Sequence, residues 1–210
     1  MTGYADYMMV LSPGDGICEQ VVKYKADAEG IIGNYEGLHS KAHISIKNMP
    51  RRKPYLAQPE LMGLKNNLQL LPPVTLTIDG FDFFTHGDEY RTIYAKIRST
   101  THTTQWFKAL KKSLGIKDYL VPHITIARNI DVCAHNSLWR HFKGVKWVED
   151  FEVSKLTILH RQAFDTFAHW QVYAEMPFEA RHLVSEAPPR ESLLKPFHGN
   201  YNPSQQISLF

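Results

Sequence analysis

Two short stretches of the sequence place a histidine and a hydroxyl side chain on the same face of a predicted β-strand. AHISIKN contains His43 and Ser45, and PHITIAR contains His123 and Thr125. Because side chains alternate along a strand, each histidine and its hydroxyl point one way while the two isoleucines of the stretch point the other. The isoleucines can be buried in a sheet, so each strand can present an imidazole and a hydroxyl at a surface. Two copies of this arrangement predict a site built from two halves.

The spacing of His and Ser or Thr occurs four times in the chain, which provides an internal control. At His102 and His135 the intervening residue is polar. Only the copies at His43 and His123 have β-branched apolar residues at both spacer positions. This contrast favours the matched pair as functional. For either copy taken alone, a half-buried strand histidine with local hydrogen bonds is the alternative interpretation.

Two imidazoles that face one cleft suit acid–base catalysis near neutral pH. One histidine can accept a proton from water while the other protonates a leaving oxygen, as hydrolysis of a phosphodiester requires. The hydroxyls of Ser45 and Thr125 can hold the non-bridging phosphate oxygens as charge develops. The pattern therefore predicts His43 and His123 as catalytic residues and the two hydroxyls as phosphate ligands.

Two basic residues follow the motifs and can supply positive charge to a phosphate. Lys47 is expected on the face that carries His43 and Ser45. Strict alternation places Arg128 on the face opposite to His123 unless the strand bends. We expect neither a cofactor nor a metal ion, because the sequence has no Cys-rich spacing, no His-Glu-x-x-His, no Asp cluster and no Gly-rich phosphate loop.

Composition and charge are those of an ordinary globular protein. The chain has 210 residues, 43% hydrophobic and 21% charged, which suits one sizeable domain or two closely packed lobes. A net charge of +3 is too small for an extended nucleic-acid surface but is compatible with a local positive cleft. Cys18 and Cys133 are too few for a disulfide framework, and we recognise no signal peptide or membrane span. We therefore expect a cytoplasmic monomer without membrane association.

Hydrophobic periodicity predicts interleaved helices and strands. Strands are expected at 7–11, 42–47, 74–84, 90–98, 122–128, 151–160 and 168–176. Helices are expected at 17–31 with Asp15 as the N-cap, and at 59–71, 101–114 and 132–142 with Asp131 as the cap of the last. Residues 48–55 are predicted to be a loop. Several strand pairs look like antiparallel hairpins, so the pattern favours an α+β fold over a doubly wound parallel sheet.

HISI and HITI, about eighty residues apart, resemble the His-apolar-Ser/Thr-apolar signature of the two-histidine (2H) phosphoesterase superfamily. The resemblance covers residues 7–176 and is strongest to the 2′,5′-RNA-ligase-like cyclic phosphodiesterases. It implies a bilobal fold of two antiparallel sheets with flanking helices, related by a pseudo-twofold around a central groove. It also implies metal-independent opening of a 2′,3′-cyclic phosphate on RNA or a nucleotide, usually to the 2′-phosphomonoester. Family practice makes His123 the base, which leaves the acid role to His43.

Other residues are candidates for smaller roles. His160 either lines the groove or is a strand-end histidine with local partners. The basic stretch 51–53 either follows an RNA backbone or is a solvated loop. Four aromatic residues of the predicted hairpin either include a stacking platform for a base or belong to the core: Phe83, Phe84, Tyr90 and Tyr94.

Residues 180–210 differ in composition from the rest of the chain. Prolines, glycine and asparagines break any period there, so we predict a Pro-rich tail after a two-lobed domain at 1–179. The last five residues resemble the short peptide with which bacterial proteins dock on the DNA polymerase sliding clamp: Gln206, Ile207, Ser208, Leu209 and Phe210. Packing back onto its own domain is the alternative for this peptide. The alternative functions are thus a non-catalytic nucleotide- or RNA-binding module and a clamp-tethered accessory factor in DNA replication or repair.

Overall fold

Two four-stranded antiparallel sheets and their flanking helices form the fold. The computed structural model describes residues 3–181. Its strands are β1 (Ala5–Leu11), β2 (Ile44–Arg52), β3 (Val74–His86), β4 (Tyr90–Ile97), β5 (His123–Asp131), β6 (Val148–Val153), β7 (Lys155–Gln162) and β8 (Gln171–Pro177). Its helices are α1 (Asp15–Ile32), α2 (Pro54–Gly63), α3 (Lys65–Gln69), α4 (Thr101–Ser113) and α5 (Val132–Phe142).

The two sheets have matching topologies. One has the strand order β2-β1-β7-β8 and the other β5-β4-β3-β6, and neighbouring strands are antiparallel throughout. A strand–helix–strand unit lies at the corresponding edge of each sheet, β1–α1–β2 in one and β4–α4–β5 in the other. The two histidine strands, β2 and β5, are therefore equivalent edge strands. The predicted α+β, bilobal, pseudo-twofold arrangement is confirmed.

Burial of one apolar face of each sheet holds the two lobes together. The isoleucines of both motifs are buried, with Ile44, Ile124 and Ile126 at 0% and Ile46 at 6% exposure. They belong to one continuous core cluster that includes residues of both sheets. Helix α1, from the first lobe, packs against β5 and α5 of the second lobe. This packing fixes the relative positions of the two histidine strands.

Both histidine strands contain a β-bulge at the same place in the motif. In β2 the register slips by one residue between the pairs Val10–Ser45 and Met9–Lys47. In β5 it slips between the pairs Tyr94–Thr125 and Ile93–Ala127. A bulge places two residues of one strand opposite a single partner, so strict alternation ends there. The slips decide which residues after each motif share a face with the histidines.

Three predicted element boundaries are wrong, two of them around prolines. Residues 48–52, predicted to be a loop, continue β2, because they pair with the start of β1. The following helix begins at Pro54, in the first helical turn where the missing N–H costs nothing, and Pro59 lies inside it. Helix α1 is preceded by Gly14 as N-cap, so Asp15 lies in its first turn and does not cap it.

The segment 151–160, predicted to be a single strand, forms parts of two strands in different sheets. The chain leaves β6, which pairs with β3, and enters β7, which pairs with β1 and β8. The break falls at Ser154, whose carbonyl accepts a hydrogen bond from the Phe178 amide at 2.8 Å. The predicted pairing of β7 with the 168–176 segment is confirmed as β7–β8.

The chain stays attached to the domain just after β8. The amides of Ala180 and Arg181 donate to the carbonyls of Leu71 and Gln69 at 3.0 and 2.9 Å. The rest of the predicted tail, including the clamp-like peptide at 206–210, lies outside the described residues and stays a prediction. Among residues 3–181, no helix combines the length and the apolar character needed to cross a membrane.

Candidate active site

The motif histidines lie at equivalent points of the two lobes. His43 immediately precedes β2, and His123 is the first residue of β5. The edge strands β2 and β5 contact each other, so the two motifs meet across the boundary between the sheets. Both histidines and Thr125 are half-buried and Ser45 is exposed, while the intervening isoleucines are buried. Burial thus follows the predicted alternation over each four-residue motif.

Identical hydrogen bonds orient the two imidazoles. His43 Nδ1 lies 2.8 Å from the Lys41 carbonyl oxygen, and His123 Nδ1 lies 2.7 Å from the Val121 carbonyl oxygen. A carbonyl oxygen can only accept, so Nδ1 must carry the hydrogen in both rings. Nε2 of each ring is therefore the atom left to accept or donate a proton.

The two imidazoles are close enough to affect each other's charge. Burial lowers the pKa of both histidines, and the hydrogen bond to the carbonyl in each case raises it again in part. A positive charge on His43 lowers the pKa of His123, whereas the cation that lowers the pKa of His43 is Lys25. A doubly protonated pair is thus disfavoured. The pair therefore binds its second proton less tightly than its first.

The bulges reverse the expected placement of the two basic residues. Beyond its bulge, β2 pairs Asn48 with Met8, whose sulfur lies 4.0 Å from Ser45 Oγ. Asn48 therefore shares the face of Ser45, and Lys47 is displaced from it, contrary to the prediction from alternation. The equivalent bulge in β5 brings Arg128 to the face of Thr125. β5 thus has the bend that is needed to place Arg128 on the same face as the motif.

Glu36 holds Arg128 at this surface. Arg128 Nε lies 3.7 Å from Glu36 Oε1, and the neighbouring Asn129 donates to Glu36 Oε2 at 2.8 Å. Both charged side chains are more than half exposed, so the ion pair adds about 1 kcal/mol at most. A phosphate can compete for the guanidinium at little cost. Arg128 is therefore available as a phosphate ligand.

An aromatic wall supports the His123 ring. The ring centroids of Phe84 and Tyr94 lie 4.9 and 5.0 Å from that of His123, and these two rings stack on each other at 4.2 Å. Burial raises the pKa of Tyr94 to about 12, so its phenol stays protonated. Phe83 belongs to the core, because it packs against His135 and Trp139, and Tyr90 lies exposed at the end of the hairpin.

A buried lysine supports the loop before His43, and sequence reasoning missed it. Lys25 is 3% exposed. Its Nζ donates to the carbonyls of Gly37 and Ser40, each at 2.7 Å, and to Ser40 Oγ at 2.8 Å. These bonds tie α1 to the turn that leads to Lys41, the hydrogen-bond acceptor of His43. Lys25 lies four residues after Val21 and three residues before Ala28, within the apolar stripe of α1. This spacing could have predicted that the lysine is buried.

The remaining candidates lie away from the two motifs. His160 pairs with Tyr7 and stacks on its ring, on the sheet face opposite to Ser45, so it does not line the groove. The basic stretch 51–53 lies at the far end of β2 from His43. There Arg52 forms an ion pair with Glu60 at 2.6 Å, while Lys53 lies over two tyrosine rings. Within residues 3–181, no group of three side chains of metal-ligand type gathers at one point.

Comparisons with known proteins agree with this geometry. The structure is similar to that of TT0787 of Thermus thermophilus, with a TM-score of 0.62 and 14% identity over 84% of this chain and 100% of the other. It is also similar to E. coli LigT in its apo form, with a TM-score of 0.60 and 13% identity over 84% of this chain and 99% of the other. For LigT complexed with phosphate, the TM-score is 0.58 and the identity 11%, over 84% of this chain and 99% of the other.

Sequence comparison adds the family. No curated protein matches the chain closely enough to be counted as a relative. The model of the 2′-5′ RNA ligase superfamily matches residues 13–164, a region that includes both histidine motifs and all the strands except β1 and β8. This match covers most of the chain, and it agrees with the paired histidine strands and with the fold shared with LigT. The protein therefore belongs to the 2′-5′ RNA ligase superfamily.

Proposed function

We propose that the protein is a metal-independent phosphodiesterase that opens the 2′,3′-cyclic phosphates of RNA ends or nucleotides. The observation that carries the proposal is the matched pair of imidazoles, each with Nδ1 fixed by a backbone carbonyl and Nε2 left free. Membership of a phosphoesterase superfamily supports a phosphodiesterase activity of this general type. LigT has been crystallised with phosphate and with 3′-AMP, which agrees with an anion-binding groove in this fold.

In the proposed reaction, the two histidines move one proton each. Neutral His123 Nε2 accepts a proton from a water molecule, whose oxygen attacks phosphorus. The bond from phosphorus to the ribose 3′ oxygen breaks, and protonated His43 Nε2 donates its proton to that oxygen. The products are a 2′-phosphomonoester and a free 3′ hydroxyl. This order of roles follows the family resemblance, and the effect of one imidazolium on the pKa of the other favours a pair that carries a single proton.

Hydroxyl and guanidinium groups stabilise the charge that develops on phosphorus. Ser45 Oγ and Thr125 Oγ1 donate to the two non-bridging oxygens, one from each lobe. Arg128 adds a charged donor from the Thr125 face, and Asn48 occupies the equivalent position in the first lobe. Lys47 keeps a role only at longer range, since the bulge moves it off this face.

The test is hydrolysis of cytidine 2′,3′-cyclic phosphate in excess EDTA, with the product identified by phosphorus NMR. We expect the 2′-phosphate, and we expect His43→Ala and His123→Ala each to lower kcat by about 10²–10⁴. His102→Ala is the matched control, because His102 has the same His-x-Thr spacing but lies in α4. Full turnover in both motif variants would refute the proposal. Calorimetric binding of the nucleotide without any product would instead indicate a binding module.

We also propose that the C-terminal peptide recruits the protein to a sliding clamp. The support is its sequence, an apolar-ended Gln-Ile-Ser-Leu-Phe at the end of a Pro-rich tail. The test is a pull-down with purified bacterial clamp, comparing the full chain with a truncation after Asn202 and with Leu209→Ala/Phe210→Ala. Equal capture of all three proteins would exclude the peptide as the docking element.

A further inference from the structure

A basic cavity opens between α4 and the segment that leads to His123. It has a volume of about 500 Å³ and an apolar floor that includes Phe107 and Leu120. Lys108, Lys111 and Lys112 also line it, the first and last of them exposed to solvent. A second cavity of about 440 Å³ lies on the other side of residues 115–120. Lys47, Asn48, Lys117 and Asp118 contribute to its lining, so it carries one carboxylate beside its two lysines.

The positive charge of the first cavity is not neutralised by its surroundings. Helix α4, Thr101–Ser113, contains no acidic residue. Lys108, Lys111 and Lys112 form no ion pair with any carboxylate within residues 3–181. Lys108 and Lys111 are three residues apart and therefore lie on one side of the helix. Arg98, which also lines the cavity, is already paired with Asp79 at 3.1 Å.

Both cavities are lined by residues next to the histidine motifs. Val121 and Pro122 line the first cavity, and the Val121 carbonyl is the group that orients His123. The second cavity includes Lys47 and Asn48 of β2, just beyond Ser45. Tyr119 and Leu120 line both cavities, and Tyr119 is 91% exposed. A chain that leaves the catalytic groove can therefore pass over Tyr119 onto the lysines of α4.

We propose that these two cavities, the α4 trough, form a second binding site for the RNA strand on the 5′ side of the cyclic phosphate. The inference rests on the proposed function and deepens it. The lysines of α4 contact backbone phosphates, and Tyr119 provides an exposed ring on which a base stacks. A 2′,3′-cyclic phosphate requires a 2′ hydroxyl, so the polynucleotide is RNA and not DNA. A mononucleotide has no upstream phosphate and gains nothing from the trough.

The proposal is tested with Lys108→Gln/Lys111→Gln/Lys112→Gln and a control of equal charge, Lys23→Gln/Lys143→Gln/Lys146→Gln. The control lysines are exposed on α1 and after α5. Two substrates are compared: cytidine 2′,3′-cyclic phosphate and an RNA of about ten nucleotides that ends in a 2′,3′-cyclic phosphate. The trough variant should lose about 10–100-fold in kcat/KM on the RNA at low salt, and at most about twofold on the mononucleotide. The control should change neither value by more than about twofold.

A binding experiment keeps the test independent of catalysis. Fluorescence anisotropy of a labelled RNA of about ten nucleotides with a 3′-phosphate gives the affinity as a function of salt. Removal of three phosphate contacts should reduce the slope of log K against log salt by about 2, since each contact to a single strand contributes about 0.7. Tyr119→Ser should weaken RNA binding with little change in that slope.

Each outcome decides the proposal. Equal RNA affinity and turnover in the trough variant and the control would overturn it, as would equal losses on RNA and on the mononucleotide. If no cyclic phosphate is hydrolysed, the proposed function fails, yet a selective loss of RNA binding in the trough variant still supports the site. Thermal unfolding verifies that each variant is folded. Lys108→Gln alone, in the middle of α4, replaces the triple variant if the latter does not fold.

Discussion

The buried ammonium of Lys25 should make the stability of the protein depend on pH. Nζ donates three hydrogen bonds, all to neutral oxygens, and no ion pair within residues 3–181 includes it. Methionine has a similar length, is flexible and carries no charge. Lys25→Met therefore removes the charge from the site while keeping most of the packing.

Burial sets the sign and the size of the effect. It lowers the pKa of Lys25 from 10.5 to about 8. Between these values the unfolded chain holds a proton that the folded protein has released, so the free energy of unfolding must rise with pH. The full difference corresponds to about 3 kcal/mol, of which about 2.5 kcal/mol falls between pH 7 and pH 10. The variant lacks this contribution.

Urea unfolding followed by tryptophan fluorescence at pH 7, 8, 9 and 10 measures the effect. The free energy of unfolding of the wild type minus that of Lys25→Met should increase by about 2.5 kcal/mol over this range. Taking the difference cancels the titration of tyrosines that both proteins contain. Lys23→Met, at an exposed position of the same helix, should give a flat difference. A flat difference for Lys25→Met would show that the lysine is not desolvated, and its buried position beneath the turn before His43 would be refuted.

Three further predictions concern the site and one helix. Ser45→Ala and Thr125→Val should each lower kcat on the cyclic nucleotide by about 10²–10³-fold, as expected for loss of one donor to the developing charge. Because burial lowers the pKa of both histidines below 6.5, the singly protonated pair is most populated below that pH, and kcat/KM should already be falling as the pH rises above 6.5; a kcat/KM that rises between pH 6.5 and pH 8 would contradict this. Thr100→Ala removes the N-cap of α4 and should lower the free energy of unfolding by about 1 kcal/mol in urea titrations, with kcat unchanged.

Local pattern was enough to predict the motifs, because the alternation of HISI and HITI is a property of a few neighbouring residues. The face on which the basic residue after each motif lies could not be predicted in this way. It depends on a bulge, and a bulge is set by the pairing of β2 with β1 and of β5 with β4. One inserted residue moved Lys47 off the face and Arg128 onto it. Equivalent bulges in both lobes also show the pseudo-twofold more directly than the sequence, where only the motifs repeat.

The missed strand break had a signal in the sequence. The buried residues are first at odd positions, Phe151 and Val153, and then at even positions, Leu156 and Ile158. The phase changes at Ser154, where the chain passes from one sheet to the other. The break was missed because periodicity over so few residues does not separate one long strand from two short ones. Which sheet each half joins is a matter of tertiary packing.

The matching backbone bonds of the two imidazoles do not assign their roles, so a substrate that needs no acid is required to separate them. In the proposed reaction His43 is the acid and His123 the base, and a positive charge on one imidazole lowers the pKa of the other. A phosphodiester with a p-nitrophenolate leaving group needs no acid, because the anion leaves unprotonated. His43→Ala should therefore lose about 10²–10⁴ in kcat on the cyclic nucleotide but less than about tenfold on the p-nitrophenyl ester, whereas His123→Ala should lose activity on both. The opposite pattern would make His43 the base, and the charge on Lys25 would then serve to keep that base unprotonated.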